Sequence, residues 1–309
     1  MVLILSSLSQ GLLWSVMAIG VYITFRILDI ADLTAEGSYP LGAAVCATGI
    51  VSGLNPLLST LLALAAGFIA GLVSGLIHTK LKIPALLTGI ITLTGLYSIN
   101  LKVLGRANVA LLGQKTLVSQ VYDLGFTKTA SVMILGGIFV LMVIAVLTLL
   151  MKTQLGLALR STGDNIPMSE SNGIKTDNMK ILGYMISNGL IALCGALLCQ
   201  NNGYADLNSG VGTIVIGLAS IIIAEVVIRN LSIGWRLTSI VIGSIIYRLI
   251  ILAILSIPGM DADLVKLFSA ILLASVLYVP EVQKKLRIRQ PILGSWKTRL
   301  MNFARREAG

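Results

Sequence analysis

Side chains that perform acid–base, metal or redox chemistry are scarce in this 309-residue sequence. It has one histidine, His78, and three cysteines, Cys46, Cys194 and Cys199, each inside an apolar run. A catalytic nucleophile needs a base beside it, and a metal or disulfide framework needs several well-spaced ligands or thiols. Thiols in apolar runs instead behave as small hydrophobic groups. The sequence therefore argues against an enzyme, a metal site and a disulfide-stapled fold.

Charge is also scarce, and it is unevenly distributed. Charged residues make up 12% of the chain and hydrophobic residues 56%, with a mean hydropathy of +0.93. So little polar surface cannot cover a soluble globule, and we expect an all-α integral membrane protein. Many of the 23 basic residues follow Pro280. They predict first that residues 281–309 form a cytoplasmic tail, and second that this tail contacts anionic membrane lipids or a partner. A nucleic-acid surface is disfavoured, because no folded domain is there to present the charges.

Nine apolar segments predict about nine transmembrane helices, with eight to ten as the range. A helix needs about 20 apolar residues to cross a bilayer, or fewer where a second segment completes the crossing. The segments are 5–27, 39–53, 56–77, 84–104, 129–151, 177–200, 209–228, 233–256 and 263–280. The second is short and holds Pro40, Gly42 and Gly53, which predicts a discontinuous helix beside a cavity. Residues 1–280 should form a single transmembrane domain.

Two short matches predict an inverted internal repeat. The tripeptide Ala-Asp-Leu at 31–33 recurs at 205–207, and Ile-Pro at 83–84 recurs at 257–258, both 174 residues later. An odd number of predicted helices separates the copies, which inverts one relative to the other. The predicted repeat halves are about 28–104 and 202–280. Transporters commonly have such repeats, and solute passes near the interface between them.

The basic residues also predict the orientation of the chain. Placing the C-terminal tail in the cytoplasm puts the basic loops at 80–82, 152–180 and 229–236 on the same side. This arrangement satisfies the positive-inside rule. We therefore expect a multi-pass protein of the cell membrane with a cytoplasmic C-terminus and, for nine spans, an external N-terminus.

A polar stretch at 152–176 interrupts the apolar sequence midway. Asn165 is placed to cap a short helix whose first turn holds Pro167. The stretch resembles the cytoplasmic loop of permease subunits in the binding-protein-dependent ABC importer family of branched-chain amino acid and ribose permeases. The matching positions are Gly156, Leu159, Arg160, Gly163, Asp164, Asn165, Gly173 and Ile174. The resemblance implies a coupling helix that docks into an ATPase subunit; the alternative is an ordinary solvated loop.

A second polar stretch, LDIADLTAEGSYPLG at 28–42, combines acids, hydroxyls and glycines between apolar flanks. Polar groups at membrane depth usually face a bundle interior or a water-filled cavity. The stretch resembles the segment that the same family places beside its translocation path, although Ala35 and Glu36 depart from the pattern. The predicted pathway or gate residues are Asp32, Thr34, Glu36 and Ser38, with Asp206 and Asn208 facing them. Helix capping is the alternative for each.

The resemblance also implies the rest of an assembly. Two permease subunits, as a homodimer, would sit on two cytoplasmic ATPase subunits that bind ATP and Mg²⁺, and an extracellular binding protein or lipoprotein would deliver the solute. The chain itself should bind no cofactor, because the segment 105–116 lacks the glycine spacing of a phosphate loop. The expected solute is an amino acid, aromatic or branched-chain. A sugar or nucleoside importer permease, or a stand-alone secondary transporter, is the alternative.

Overall fold

Almost all of the chain that the structure describes is helical. This computed structural model describes residues 2–228, 232–256, 267–275 and 278. The elements are α1 (Val2–Tyr22), α2 (Ala35–Val51), α3 (Pro56–Lys80), α4 (Ala85–Leu104), β1 (Asn108–Ala110), α5 (Leu117–Tyr122), α6 (Lys128–Lys152), α7 (Gln154–Asp164), α8 (Ile166–Ser171), α9 (Thr176–Asn202), β2 (Tyr204–Asp206), α10 (Thr213–Val227) and α11 (Ile233–Leu255). A π-helical turn, Ile23–Ile27, extends α1, and a 3-10 turn, Leu207–Gly210, precedes α10. The predicted all-α membrane class is confirmed.

Seven helices of the described chain are long and apolar enough to cross a membrane. They are α1 with its π turn, α3, α4, α6, α9, α10 with its preceding turn, and α11. The predicted segment 39–53 corresponds to α2, whose 17 residues are fewer than the usual span requires. The predicted segment 263–280 lies partly outside the described residues, which include 267–275 and 278 of it. The count of nine spans is therefore not confirmed.

The predicted discontinuous helix is not confirmed either. α2 begins at Ala35 and continues through Pro40 to Val51. Proline has no N–H to bond the carbonyl of Glu36 one turn earlier, and Gly210 packs directly against that carbonyl. The irregular backbone lies instead before the helix, at 28–34. We call residues 28–34 the entry segment.

Helix α9 lies at the centre of the bundle. Its residues from Gly183 to Gln200 are almost all buried, and it packs against α1, α2 and α3. α11 packs against α1 and α10, α6 packs against α1, and α4 lies at the edge of the bundle against α2 and α3. The outward faces of α3, α4 and α6 expose leucine, isoleucine and valine side chains. Such faces are expected where helices contact lipid.

Two short strands join the loops that follow α4 and α9. β1 pairs with β2 in antiparallel register, with Val109 opposite Ala205. The backbone N–H of Leu207 donates to the carbonyl of Ala107 at 3.0 Å, which continues the ladder. The strands lie at the end of the bundle where α6 begins, opposite the polar stretch 152–176.

A glycine of α3 sets the distance between α3 and α9. A Cβ added at Gly71 would lie 2.7 Å from the Cα of Met185. Small residues at helix crossings in membranes let the two backbones approach closely. At this crossing the neighbouring atoms belong to the backbone of a buried helix, so they cannot move aside as a flexible side chain would.

We expect Gly71→Ala to destabilise the folded protein by about 1–3 kcal/mol, because the added methyl group overpacks the crossing of α3 and α9. The measurement is the thermal unfolding midpoint in detergent. Gly95→Ala is the matched control, since a Cβ at this helical glycine meets nothing within 4 Å. Equal shifts in the two variants would contradict a role for the crossing.

Candidate functional site

A buried network of hydrogen bonds surrounds Asp32 in the entry segment. One carboxylate oxygen accepts the backbone N–H of Thr34 at 2.9 Å, and the other accepts Nδ2 of Asn188 at 2.8 Å. Oδ1 of Asn188 accepts the hydroxyl of Ser38 at 2.7 Å. All four residues are buried. The network therefore joins the entry segment to α2 and α9.

The side chain of Thr34 extends this network to two further helices. Its Oγ1 lies 3.0 Å from the hydroxyl of Ser74 in α3 and 2.7 Å from the hydroxyl of Thr92 in α4. Thr34 occupies the N-cap position of α2, but its side chain makes no capping bond. Its hydroxyl instead ties α2, α3 and α4 together.

Glu36 and Asn208 share a cavity of about 330 Å³ between α2, α4 and the 3-10 turn before α10. We call it the Glu36 cavity. One carboxylate oxygen of Glu36 accepts the backbone N–H of Gly212 at 3.0 Å. The volume lies near the lower end of the range of about 300–1,000 Å³ for small-molecule sites. The cavity is thus of a size for a small metabolite.

Helix α4 supplies the opposite wall of the Glu36 cavity. Leu93 and Tyr97 give it an apolar and aromatic surface, and Asn100 lies beside them. Nδ2 of Asn100 donates to the carbonyl of Gly37 at 3.1 Å. Its Oδ1 is buried and has no partner among the described residues. A buried carbonyl without a partner is costly, which favours its use by a ligand.

The other predicted pathway residues lie elsewhere. Asp32, Thr34 and Ser38 belong to the buried network and are not among the residues that line the Glu36 cavity. Asp206 caps the 3-10 turn, where its Oδ1 accepts the backbone N–H of Asn208 at 2.8 Å. The structure therefore divides the six predicted residues, with Asp32, Thr34 and Ser38 in the buried network, Glu36 and Asn208 at the cavity, and Asp206 in the cap of the 3-10 turn. The pathway role of all six stays a prediction.

The polar stretch 152–176 folds into the two helices α7 and α8. Asn165 separates them, and its Oδ1 accepts the backbone N–H of Met168 at 3.0 Å, with Pro167 in the first turn of α8. The predicted cap is confirmed. Asp164 ends α7, and Gly173, in the left-handed conformation with φ of +79°, follows α8. Ile174 lies just after it and is half-buried.

Arg160 fastens this stretch to the end of α6. Its Nε donates to the carbonyl of Gly156 at 3.4 Å, and a terminal nitrogen donates to the carbonyl of Met151 at 3.2 Å. Gly156 itself packs directly against the backbone of Leu150 and Met151. The turn between α6 and α7 is therefore held by backbone contact and by one guanidinium group.

Gly163 connects the polar stretch to the entry segment. It packs directly against the carbonyl oxygen of Ile27, so that a Cβ would overlap this oxygen. The side chain of Leu28 in turn lies against Gly183 of α9, close to the buried Leu159. The polar stretch is therefore in direct contact with the backbone that leads into the Asp32 network.

The two helices of the stretch also present apolar side chains to the outside. Leu155, Leu157, Ile166 and Met168 are 51%, 61%, 39% and 64% exposed. Contiguous exposed apolar patches mark surfaces for contact with a protein or a membrane. We call these four residues the apolar loop face.

Comparison with known proteins is consistent with these features. Residues 3–277 match the profile of the family described as the branched-chain amino acid transport system permease component. The chain belongs to this permease family. A tyrosine transport system permease protein of Clostridioides difficile is 42% identical over 274 residues, which cover 89% of this chain and 90% of that protein. The resemblance to the ABC importer permease family is confirmed, and the protein is a multi-pass membrane permease of that family.

Two further relatives of the permease are more distant. An uncharacterized protein of Rickettsia prowazekii is 36% identical over 275 residues, or 88% of this chain and 95% of that protein. An autoinducer 2 import system permease protein of Yersinia enterocolitica is 28% identical over 152 residues, or 48% of this chain and 40% of that protein. No solved structure matches the permease.

Two amides of the permease, Asn188 and Asn100, were not predicted from the sequence. Each is an amide side chain within a largely apolar helix that also carries serine or threonine residues. Isolated polar groups at membrane depth are costly and usually have a partner or a function. That signal would have selected both residues, although it would not have named the atoms they contact.

We expect Asp32→Asn to destabilise the permease by about 1–3 kcal/mol and to reduce uptake, because an amide NH₂ at this position would oppose the NH₂ of Asn188 or the N–H of Thr34. Asp206→Asn is the matched control, since asparagine caps as well as aspartate. The measurements are the unfolding midpoint and the initial uptake rate. An Asp32→Asn variant with wild-type values would rule out a charge-dependent network.

Proposed function

We propose that the permease forms the translocation pathway of an ABC importer for an amino acid with an aromatic side chain. The proposal rests on one observation, the direct packing of Gly163 in the polar stretch against Ile27 at the start of the entry segment. Through this contact, movement of a bound ATPase subunit is transmitted to the helices of the bundle. A stand-alone transporter has no need for such a loop.

The coupling route follows the contacts from the loop inward. The cytoplasmic ATPase docks on the apolar loop face, and its movement displaces α7 and α8. Gly163 transmits the displacement to Ile27 and Leu28, and the Asp32–Asn188 bond transmits it to α2 and α9. Glu36 lies in the first turn of α2, beside the Glu36 cavity. ATP must bind the ATPase more tightly in one state of the assembly than in the other. A ligand with equal affinity for both states would not shift the equilibrium between them.

The substrate class follows from the walls of the Glu36 cavity and from the tyrosine permease that is 42% identical. The carboxylate of Glu36 and the carbonyl of Asn100 suit the ammonium group of an amino acid. Tyr97 and Leu93 suit an aromatic side chain, since aromatic rings gain from offset or edge-to-face contact. No lysine or arginine is among the described residues that line the cavity. Among the described residues of the lining, a cationic group of the substrate meets no like charge.

Packing within the bundle supports the inverted repeat. Gly11 contacts Ile245, and Met185 contacts Gly71. Adding the repeat offset of 174 to residue 11 gives residue 185, and subtracting it from residue 245 gives residue 71. The offset therefore converts the first contact into the second. The same operation converts the contact of Val21 with Gly217 into that of Gly195 with Ala43. Contacts that exchange in this way are those expected of two copies related by a pseudo-two-fold axis, and the odd number of spans proposed between the copies places them in opposite orientation. The contacts involve α1 and α9, so the copies extend beyond the predicted bounds of 28–104 and 202–280.

The repeat and the basic loops suggest the complete arrangement. Nine spans place the C-terminus and the polar stretch 152–176 in the cytoplasm, where two ATPase subunits with bound ATP and Mg²⁺ serve a homodimer of the permease. A binding protein or lipoprotein delivers the solute at the opposite face, near β1 and β2. The basic tail 281–309 lies outside the described residues.

We expect Gly163→Ala to lower ATP-driven uptake at least tenfold, because its methyl group would overlap the carbonyl of Ile27. Gly137→Ala is the matched control, since a Cβ at this helical glycine meets nothing within 4 Å. Uptake and ATP hydrolysis are measured in proteoliposomes with the ATPase and the binding protein. The coupling assignment requires that Gly163→Ala still co-purify with the ATPase; wild-type uptake in this variant would refute it.

We expect tyrosine to compete for uptake, and ribose and nucleosides to have no effect. Glu36→Gln should reduce uptake about tenfold or more, since a hydrogen bond to a charged group contributes about 1.5–3 kcal/mol. Asp123→Asn, at an exposed position after α5, serves as the matched control. Competition by a sugar alone would overturn the substrate class and leave the coupling route untouched.

A further inference from the structure

A second cavity, of about 800 Å³, lies between α6, α7 and α11. It opens at the end of the bundle that holds the polar stretch 152–176, and its lining residues differ from those of the Glu36 cavity. We call it the α6–α11 cavity. Lys152 and Arg160 line its polar part, and Ile144 and Ile233 line its apolar part. The proposed coupling route makes no use of this space.

The polar part of the α6–α11 cavity suits an anion. Lys152 and Arg160 are both cationic, and no aspartate or glutamate is among the described residues that line it. Thr148 also lines the cavity, and its Oγ1 is buried without a hydrogen-bond partner among the described residues. Two cations and a hydroxyl without a partner together supply hydrogen-bond donors for the oxygens of a phosphate group.

The depth of the cavity in the membrane indicates what fills the apolar part. Lys152 is the last residue of α6, and Trp235, which is 68% exposed, lies in the first turn of α11. Lysine and tryptophan at helix ends mark the level of the lipid headgroups. Ile144 lies two turns further into α6, toward the hydrocarbon. A free ion would leave this apolar part empty, whereas a lipid fills both parts.

We propose that the α6–α11 cavity binds an anionic phospholipid of the adjacent leaflet. The phosphate lies against Lys152 and Arg160 and accepts a hydrogen bond from the hydroxyl of Thr148, while an acyl chain covers Ile144. Basic pockets between membrane helices on the cytoplasmic side recognise such headgroups. Because Arg160 also holds the turn between α6 and α7, the bound lipid stabilises the position of the coupling loop.

The test uses the full-length permease in nanodiscs of phosphatidylcholine alone or of an equal mixture with phosphatidylglycerol. Native mass spectrometry of the released protein counts the lipids that remain bound. We expect the wild type to retain phosphatidylglycerol preferentially and Lys152→Gln to retain it about fivefold less. Lys128→Gln, an exposed lysine at the opposite end of the same helix, should match the wild type. Trp235→Leu should weaken retention without changing the net charge.

Four results would overturn the proposal. The first is equal retention of the two lipids by the wild type. The second is an equal loss of lipid in Lys152→Gln and Lys128→Gln, which would indicate a general effect of charge. Glycerol phosphate that displaced the lipid efficiently would identify a site for free anions. Displacement of the lipid by the purified ATPase would identify a protein contact. The unfolding midpoint of each variant checks that a loss of lipid does not reflect misfolding.

Discussion

The contact between Gly163 and the carbonyl oxygen of Ile27 is the constraint on which the arrangement of this permease depends. It leaves no side chain between the polar stretch and the entry segment, so the two backbones must move together or separate. Any residue other than glycine would force them apart. The contact therefore places a loop at the surface of the bundle in direct mechanical connection with the irregular backbone inside it.

The Asp32 network explains why that irregular backbone has a defined position. A carboxylate taken out of water is strongly destabilising unless both oxygens are bonded, and here Thr34 and Asn188 bond them. Asn188 has further partners in Ser38 and in the carbonyl of Tyr184. Losing one partner would leave another buried polar group unpaired, so the network favours discrete arrangements over gradual distortion. A transporter that alternates between two states requires such behaviour.

Much of the helical architecture could be predicted because it is a property of local sequence. Apolar runs fixed the extent of α3 and α6 to within about a turn, and an asparagine before a proline predicted the cap at Asn165. The site could not be predicted in the same way. Whether Asp206 faces Asp32 or caps its own turn depends on how distant segments pack, and no short pattern encodes that. Single amides such as Asn100 have no periodicity, and only burial reveals what they contact.

The β1–β2 ladder has a consequence for the direction in which the bundle can open. It joins the ends of α4 and α9 by backbone hydrogen bonds at the end opposite the polar stretch. With these ends fastened, relative movement of α4 and α9 is smallest beside the ladder and grows with distance from it. The ladder thus acts as a fixed pivot. In the proposed orientation, a movement driven from the polar stretch is therefore largest at the cytoplasmic end of these helices, and release of solute there needs only a small change in the outer half of the subunit.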